Sequence, residues 1–254
     1  GASLTINDQR AVNDCQETES ACTIFIDFNE TEMKIWNITD PENASQLSSV
    51  EYFDVASNNK YVHSGWGTED QQYILAHDEF DEQRGNLNTT VRIFSIENLK
   101  EPVQVGQWTG PTRAIDHNGF VRGNRYYMSN YTRGLTILDI SDPTNPKQVG
   151  FFDTFPTSDD ANFNGAWGVY PYLPSGNILV SDIDSGLYIL KDKTKISSTD
   201  IISFTESSIQ VAQGTNVEIP VQRNSASNTL PTATVHYQVL SGSATKGTDY
   251  ILED

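Results

Sequence analysis

The feature of this sequence that most restricts its fold is a short unit that recurs along the chain. Copies occupy residues 35–41, 93–99 and 137–143, and a fourth begins at Gly186. A strand-like run precedes each copy, and another follows the first three. The preceding runs are residues 23–27, 73–78, 126–130 and 178–182. Four short strands repeated at a period of roughly 40–50 residues are typical of β-propeller blades.

The repeats favour a propeller over the alternative of a β-sandwich, which explains alternating apolar residues but not the Asp-Pro turns at Asp40 and Asp142. We therefore predict an all-β chain of four-stranded propeller blades followed by a partial β-sandwich. The sequence supplies two complete blades, the back half of one before them and most of one after them. Because closed propellers need at least about four blades, we expect an incomplete ring that another chain or a missing segment completes.

The charge of the chain excludes several kinds of partner. It has 34 acidic and 16 basic side chains, for a formal net charge of −18. Nucleic acid is excluded as a partner, because phosphate binding needs a basic surface. No apolar run is long enough for a membrane helix, so we predict no transmembrane segment.

The two cysteines, Cys15 and Cys22, lie close enough in sequence to form a small disulfide loop. Disulfides form in oxidising compartments and are rare in the cytosol. The pair therefore predicts a disulfide in an exported protein, with two unrelated free thiols as the alternative.

Motifs at residues 61–70, 78–82, 114–118 and 134–143 occur in an order that resembles the choice-of-anchor B family of secreted or surface-anchored bacterial proteins. The repeats of that family are propeller repeats of the LVIVD type. The resemblance covers about residues 15–192. It implies export and surface attachment more firmly than any activity.

The composition changes after residue 195, where Ser/Thr-rich alternation begins. Runs at residues 217–223, 234–239 and 242–250 are similar to the opening strands of a Calx-β domain. We therefore predict a propeller portion at residues 1–195 and a partial Calx-β-like sandwich at residues 196–254.

The Calx-β resemblance implies a calcium site, because some of these domains bind Ca²⁺ through a carboxylate cluster. Asp249 matches one ligand position. Glu206 is the candidate for the other, although Thr205 stands where the family often has Glu and Glu206 is one residue late. Many Calx-β modules are purely structural, which is the alternative.

The channel of the propeller offers a second candidate metal site. His63 and His117 are predicted in the first strands of successive blades, which line the channel, with Asp116 beside them. Imidazoles with carboxylates suit a transition metal or general acid–base chemistry. The alternative, which the sequence favours, is that these residues bond backbone groups of adjacent blades. The Asp81-Glu82 pair is interpreted as solvated loop charge, with Ca²⁺ binding in a loop as the alternative.

Together these features predict a non-enzymatic extracellular or cell-surface adhesion protein. Its propeller would bind a protein or glycan at the cell surface, and its Calx-β module would act as a stalk. The alternative is a secreted metal-dependent hydrolase or lyase that uses the channel histidines. The sequence contains no nucleophile elbow, phosphate loop or paired-metal motif.

Overall fold

A computed structural model describes residues 3–8, 22–194, 201–204 and 219–224. These residues belong to two compact units, divided between Thr194 and Lys195. The described strands of the second unit are an antiparallel pair, β16 (Ile201–Phe204) and β17 (Val221–Asn224). They do not test the Calx-β assignment, and the domain boundary after residue 195 stays a prediction.

The described residues of the first unit form four antiparallel sheets, each with its strands in sequence order. The first sheet contains β1 (Ser3–Asp8), β2 (Cys22–Phe28), β3 (Met33–Asn37) and β4 (Ser45–Val50). The second contains β5 (Val62–Gly67), β6 (Tyr73–Asp78), β7 (Thr90–Ser95) and β8 (Val103–Thr109). The third contains β9 (Asn118–Arg122), β10 (Arg125–Asn130), β11 (Gly134–Asp139) and β12 (Lys147–Phe152). The fourth contains β13 (Ala166–Tyr170), β14 (Asn177–Asp182) and β15 (Gly186–Lys191).

Helical structure in the described residues is limited to short connections. One turn of α-helix, α1 (Asp81–Arg84), follows β6. Two 3₁₀ turns occupy Pro41–Asn43 and Ser57–Asn59. None of the helices in the described ranges has the length and apolar character needed to cross a membrane.

This architecture confirms the predicted fold class of four-stranded propeller blades in an incomplete ring. The count of complete blades was too low, because β1 adds a fourth strand to the first sheet. The sequence did not reveal this strand, since residues 9–21 separate it from β2 and hide the repeat spacing. The last sheet has three described strands, in agreement with the expected partial blade.

The repeated units occupy equivalent positions in their sheets. Each begins in the third strand of its sheet, and in each of the first three sheets the pairing with the fourth strand shifts register inside the unit. The shifts lie between Ile35 and Trp36, between Ile93 and Phe94, and between Ile137 and Leu138. A register shift of this kind bends the strand and increases its twist. The repeat thus encodes the same local distortion in three blades.

The core consists of three apolar clusters, each between two neighbouring sheets. Successive strand residues point to opposite faces, so a blade between two others is buried on both. Ile74 and Leu75 of β6 illustrate this, because both are fully buried but belong to different clusters. Burying one such side chain contributes roughly 1.5–3 kcal/mol.

Backbone bridges also connect neighbouring sheets. Glu30 and Val62 exchange two hydrogen bonds of 2.9 and 2.7 Å, which join the first sheet to the second. Tyr131 and Ala166 bridge the third sheet to the fourth. These bridges tie the first residues of β5 and β13 to the β2–β3 and β10–β11 connections of the preceding sheets.

The cysteine prediction is only partly covered by the described residues. Cys22 is buried in β2 and forms no disulfide among the described residues, whereas Cys15 lies outside them. The structure therefore does not show the bridge, and the pairing stays a prediction. The two Calx-β candidates, Glu206 and Asp249, also lie outside the described residues.

Candidate functional site

The structure brings His63 and His117 together, as their positions in successive blades predict. The two imidazole rings stack with their centroids 4.5 Å apart and their planes 21° apart. His63 lies in β5, as predicted, whereas His117 directly precedes β9 rather than lying in the strand. The pair therefore spans the second and third sheets.

A β-bulge positions His63. The pairing of β5 with β6 shifts register between Val62 and Ser64, so His63 is the extra residue. The pairing of β13 with β14 shifts in the same way between Ala166 and Gly168, around Trp167. Bulges commonly redirect a side chain near a functional site. Equivalent bulges in two blades therefore direct His63 and Trp167 out of the regular alternation.

Glu79, directly after β6, connects the two imidazoles. Its Oε2 atom lies 3.3 Å from His63 Nδ1, and its Oε1 atom lies 3.5 Å from His117 Nε2. One potential ligand atom from each of the three residues lies within 4.8 Å of the others. We call this group the His–Glu cluster. It is the one group of this kind found among the described residues, and its donors are those that a metal ion uses.

Hydrogen bonds from neighbouring sheets hold the cluster. The Tyr131 hydroxyl donates to Glu79 Oε1 at 2.9 Å. The Nδ1 atom of His117 donates to the backbone carbonyl of Trp167 in the fourth sheet. This is the kind of inter-blade backbone bond that the sequence favoured for the channel histidines. It places the proton of neutral His117 on Nδ1 and leaves Nε2 as an acceptor beside Glu79.

Burial controls the charge of the His–Glu cluster. It lowers the pKa of His63 to about 3 and that of His117 to about 4, so both rings are neutral at physiological pH. Burial also raises the pKa of Glu79, although the Tyr131 hydrogen bond opposes that rise. The His–Glu cluster therefore consists of two neutral imidazoles and one carboxyl group.

Asp116, the acid expected beside the two histidines, lies outside the His–Glu cluster. Its Oδ2 atom is 3.5 Å from Nδ1 of His77, and both side chains are fully buried. Consecutive residues of an extended chain point in opposite directions, which separates Asp116 from the ring of His117. Neither carboxylate oxygen of Asp116 has a hydrogen-bond partner among the described residues.

Asp116 is one of four fully buried acids, which we call the buried acidic network: Asp78, Asp81, Glu82 and Asp116. The interpretation of Asp81 and Glu82 as solvated loop charge was wrong, because α1 turns both side chains into the interior. A charged run next to a turn carries no sequence signal for burial. The clue in the sequence was Arg92, a cation within the strand-like run that forms β7. The structure shows that Arg92 is buried there.

Glu82 retains its proton in this network. Burial, with the nearby Asp116 and Asp81 carboxylates, raises the pKa of Glu82 to about 12. Its Oε1 atom accepts a 3.3 Å hydrogen bond from the backbone N–H of Asp116. The network is therefore a structural element between the sheets rather than an open anionic site.

Aromatic side chains surround the His–Glu cluster, and we call them the aromatic rim. Tyr61 stacks on His63 at 6.1 Å, and Trp167 lies 5.5 Å from His117. Phe163 meets Tyr131 edge to face at 5.3 Å. Trp167 is 53% exposed and Phe163 is 40% exposed. The rim is therefore accessible next to a buried polar cluster.

Comparison with known proteins agrees with this architecture. Residues 120–154 match the LVIVD repeat. The matched segment contains the repeat unit at 137–143, which the sequence analysis aligned with the other copies. No curated protein sequence matches the chain. The chain therefore contains an LVIVD repeat within a β-propeller fold.

Solved structures show a likeness in fold alone. The periplasmic gluconolactonase of Pseudomonas aeruginosa superposes with a TM-score of 0.50 at 13% identity, over 72% of this chain and 57% of its own. A protein from Lactobacillus plantarum superposes with a TM-score of 0.50 at 12% identity, over 67% of this chain and 53% of its own. The chain thus spans slightly more than half the length of either structure.

Proposed function

We propose that this chain is the propeller portion of an extracellular or cell-surface binding protein of the choice-of-anchor B type. The observation that carries the proposal is the aromatic rim, in which Trp167 and Phe163 are exposed beside a rigidly held polar cluster. Trp and Tyr side chains dominate the energy of many binding interfaces. The rim is the surface that we assign to an adhesion partner, either a protein or a glycan of the cell surface.

The rim is preorganised for binding. The carbonyl of Trp167 is held by His117, so the backbone is fixed while the indole remains exposed. Gly165, just before β13, has a φ of 84° and donates from its N–H to Asp184 at 2.8 Å, which fixes the approach to this strand. A fixed backbone lowers the entropy lost when a partner orders the indole.

The structure gives less support to the alternative of a secreted metal-dependent hydrolase or lyase. That alternative uses the channel histidines His63 and His117 with neighbouring acids, and one of those acids, Asp116, is buried beside His77 instead. The likeness to the gluconolactonase rests on the fold at 13% identity and does not carry its activity to this chain. The binding function therefore has the stronger support.

We also propose that strands from another chain, or from another segment of a longer one, cover the outer face of the fourth sheet. Leu187 and Ile189, two residues apart in β15, are 61% and 64% exposed. In the other sheets, the equivalent position packs against a neighbour or a fourth strand. An apolar face of this kind marks an interaction surface.

The proposed stalk is the Calx-β module at residues 196–254, with Glu206 and Asp249 as its calcium ligands. Calcium titration of the full chain tests this assignment. D249N should abolish saturable Ca²⁺ binding, whereas D142N, which changes an exposed turn acid of the propeller, should not. Calcium binding that is equal in all three proteins would contradict it.

The experiment that tests the binding function compares the chain with W167A and F53A. Phe53 is the matched control, because it is an exposed aromatic residue in the segment after β4. Labelled proteins are applied to a glycan microarray and to immobilised cell-surface proteins of the producing organism. We expect saturable binding that W167A loses and F53A keeps. Equal binding by all three proteins, or binding by none, would contradict the proposal.

A further inference from the structure

We propose that His63, Glu79 and His117 bind one divalent transition-metal ion of the zinc class, with a coordination position left open for a ligand. This inference does not rest on the proposed adhesion function, since its ligands His63, Glu79 and His117 differ from the exposed rim residues Trp167 and Phe163 that carry that proposal. It rests on the distances between the donor atoms, on their chemistry and on the groups that orient them.

The distances fit a single ion. Two ligands bound tetrahedrally to Zn²⁺ at about 2.0–2.2 Å lie roughly 3.3 Å apart. Glu79 approaches His63 Nδ1 at 3.3 Å through Oε2 and His117 Nε2 at 3.5 Å through Oε1. With one ligand atom from each residue, all three atoms lie within 4.8 Å of one another. Small rotations of the side chains would therefore be needed to bring one Glu79 oxygen and both imidazole nitrogens to the spacing of a single ion.

The chemistry of the donors selects the class of metal. Two imidazole nitrogens and one carboxylate form a ligand set that zinc uses in sites with an open fourth position. Calcium requires six to eight oxygen ligands, whereas this cluster offers two oxygens at most. A first-row transition metal such as Zn²⁺ is therefore the occupant that these residues fit.

The surroundings orient the ligands as a metal site requires. The other nitrogen of His117 donates to the Trp167 carbonyl, and the Glu79 carboxylate accepts from the Tyr131 hydroxyl. Such outer hydrogen bonds fix the tautomer and direction of metal ligands. The Nδ1 atom of His63 is shielded from solvent and makes no hydrogen bond to the described residues. A metal ion would satisfy this atom.

A cluster held only by hydrogen bonds is the competing explanation, and zinc titration separates the two. The full chain, free of any histidine tag and stripped with a chelator, is titrated with Zn²⁺ by calorimetry. We expect one saturable site. H63A, H117A and E79Q should each weaken binding by more than about 100-fold, because loss of an outer hydrogen bond alone costs roughly 10–100-fold.

Two matched controls identify the site. H236A removes the histidine that lies outside the described residues, and E97Q neutralises an exposed acid of the propeller; both should bind Zn²⁺ like the unchanged chain. Y131F should weaken binding by roughly 10–100-fold while leaving the stoichiometry at one.

A measurement on the unchanged chain covers the case in which a variant does not fold. Long-range ¹H–¹⁵N spectra record the four imidazoles before and after addition of Zn²⁺. We expect large chemical-shift changes for His63 and His117 and none for His77 or His236. Absence of saturable binding, binding unaffected by all three ligand variants, or shifts that spare the signals of His63 and His117 would overturn the proposal.

Discussion

The guanidinium of Arg92 and the carboxylate of Asp81 form a 2.8 Å ion pair whose side chains are 1% and 0% exposed. Arg92 also donates to Asp54 at 2.8 Å and lies 4.2 Å above the ring of Tyr52. It is therefore the cation that balances the buried acidic network. Removing one partner of a buried ion pair leaves an uncompensated charge in the interior.

We predict that R92M destabilises the chain by about 3–5 kcal/mol, because Asp81 would remain buried without its partner. Urea unfolding followed by tryptophan fluorescence measures the loss. The control is R133M, whose partner Asp159 is 42% exposed, and it should cost less than about 1 kcal/mol. Similar losses for the two variants would show that the Arg92 pair has no special role.

The protonated state of Glu82 predicts how stability changes with pH. Its pKa is about 12 in the folded chain and about 4.3 in an unfolded one. Between these values, the folded chain holds a proton that the unfolded chain has lost. Stability is therefore fully present below pH 4 or so and falls as pH rises, by up to about 1.4 kcal/mol per pH unit from this group.

We predict that E82Q is at least as stable as the unchanged chain at pH 7 and that its stability falls less between pH 7 and 9. Glutamine keeps the acceptor for the Asp116 N–H without an ionisable proton. Urea unfolding at several pH values measures the slope. E97Q, at an exposed position, should keep the original slope, and an unchanged slope in E82Q would show that Glu82 ionises freely.

Gly65 allows close contact between the first two sheets. A Cβ atom at this position would lie 2.5 Å from the ring of Phe28 and 2.6 Å from the carbonyl oxygen of Leu75. We predict that G65A costs about 1–3 kcal/mol, since a packed core resists added volume. At Gly168 the added atom would meet only Ser181 Oγ, at 2.7 Å. Thermal melts should therefore show little change for G168A, and equal losses would contradict this packing argument.

The sequence could predict most of the fold because each blade is built from the same local run of strands and turns. The strand at residues 73–78 was located in full, and the copy at 137–143 begins inside β11. The missed strand, β1, pairs with β2 across residues 9–21. Sequence periodicity reports local alternation, so it cannot show which distant run completes a sheet.

The site was predictable only where the repeat determined it. Equivalent places in successive blades brought His63 and His117 together. In the sequence, Glu79 is one acid among several. Its approach to the two histidines depends on where β6 ends, which the sequence does not show. The buried carboxylate of Asp81 pairs with Arg92 of β7, and such pairing between distant elements can be seen only in three dimensions.

The exposed face of β15 predicts self-association. Leu187 and Ile189 are apolar and more than half exposed, and such faces pair with available partners. We expect light scattering after size exclusion to give a mass above 28.3 kDa that rises with concentration. The double variant L187K/I189K should be monomeric, and V103K, at another exposed apolar residue, should not change the mass. A monomer in all three cases would contradict the proposed interface.

The zinc site and the packing of the blades around it are tested most directly by a crystal structure of the full chain soaked with Zn²⁺. Diffraction is recorded on both sides of the zinc absorption edge. We predict neighbouring propeller blades with one anomalous peak between His63, Glu79 and His117, about 2.0–2.2 Å from each donor atom. Blades that separate these three residues, or a fully occupied zinc ion elsewhere with none at this cluster, would contradict it.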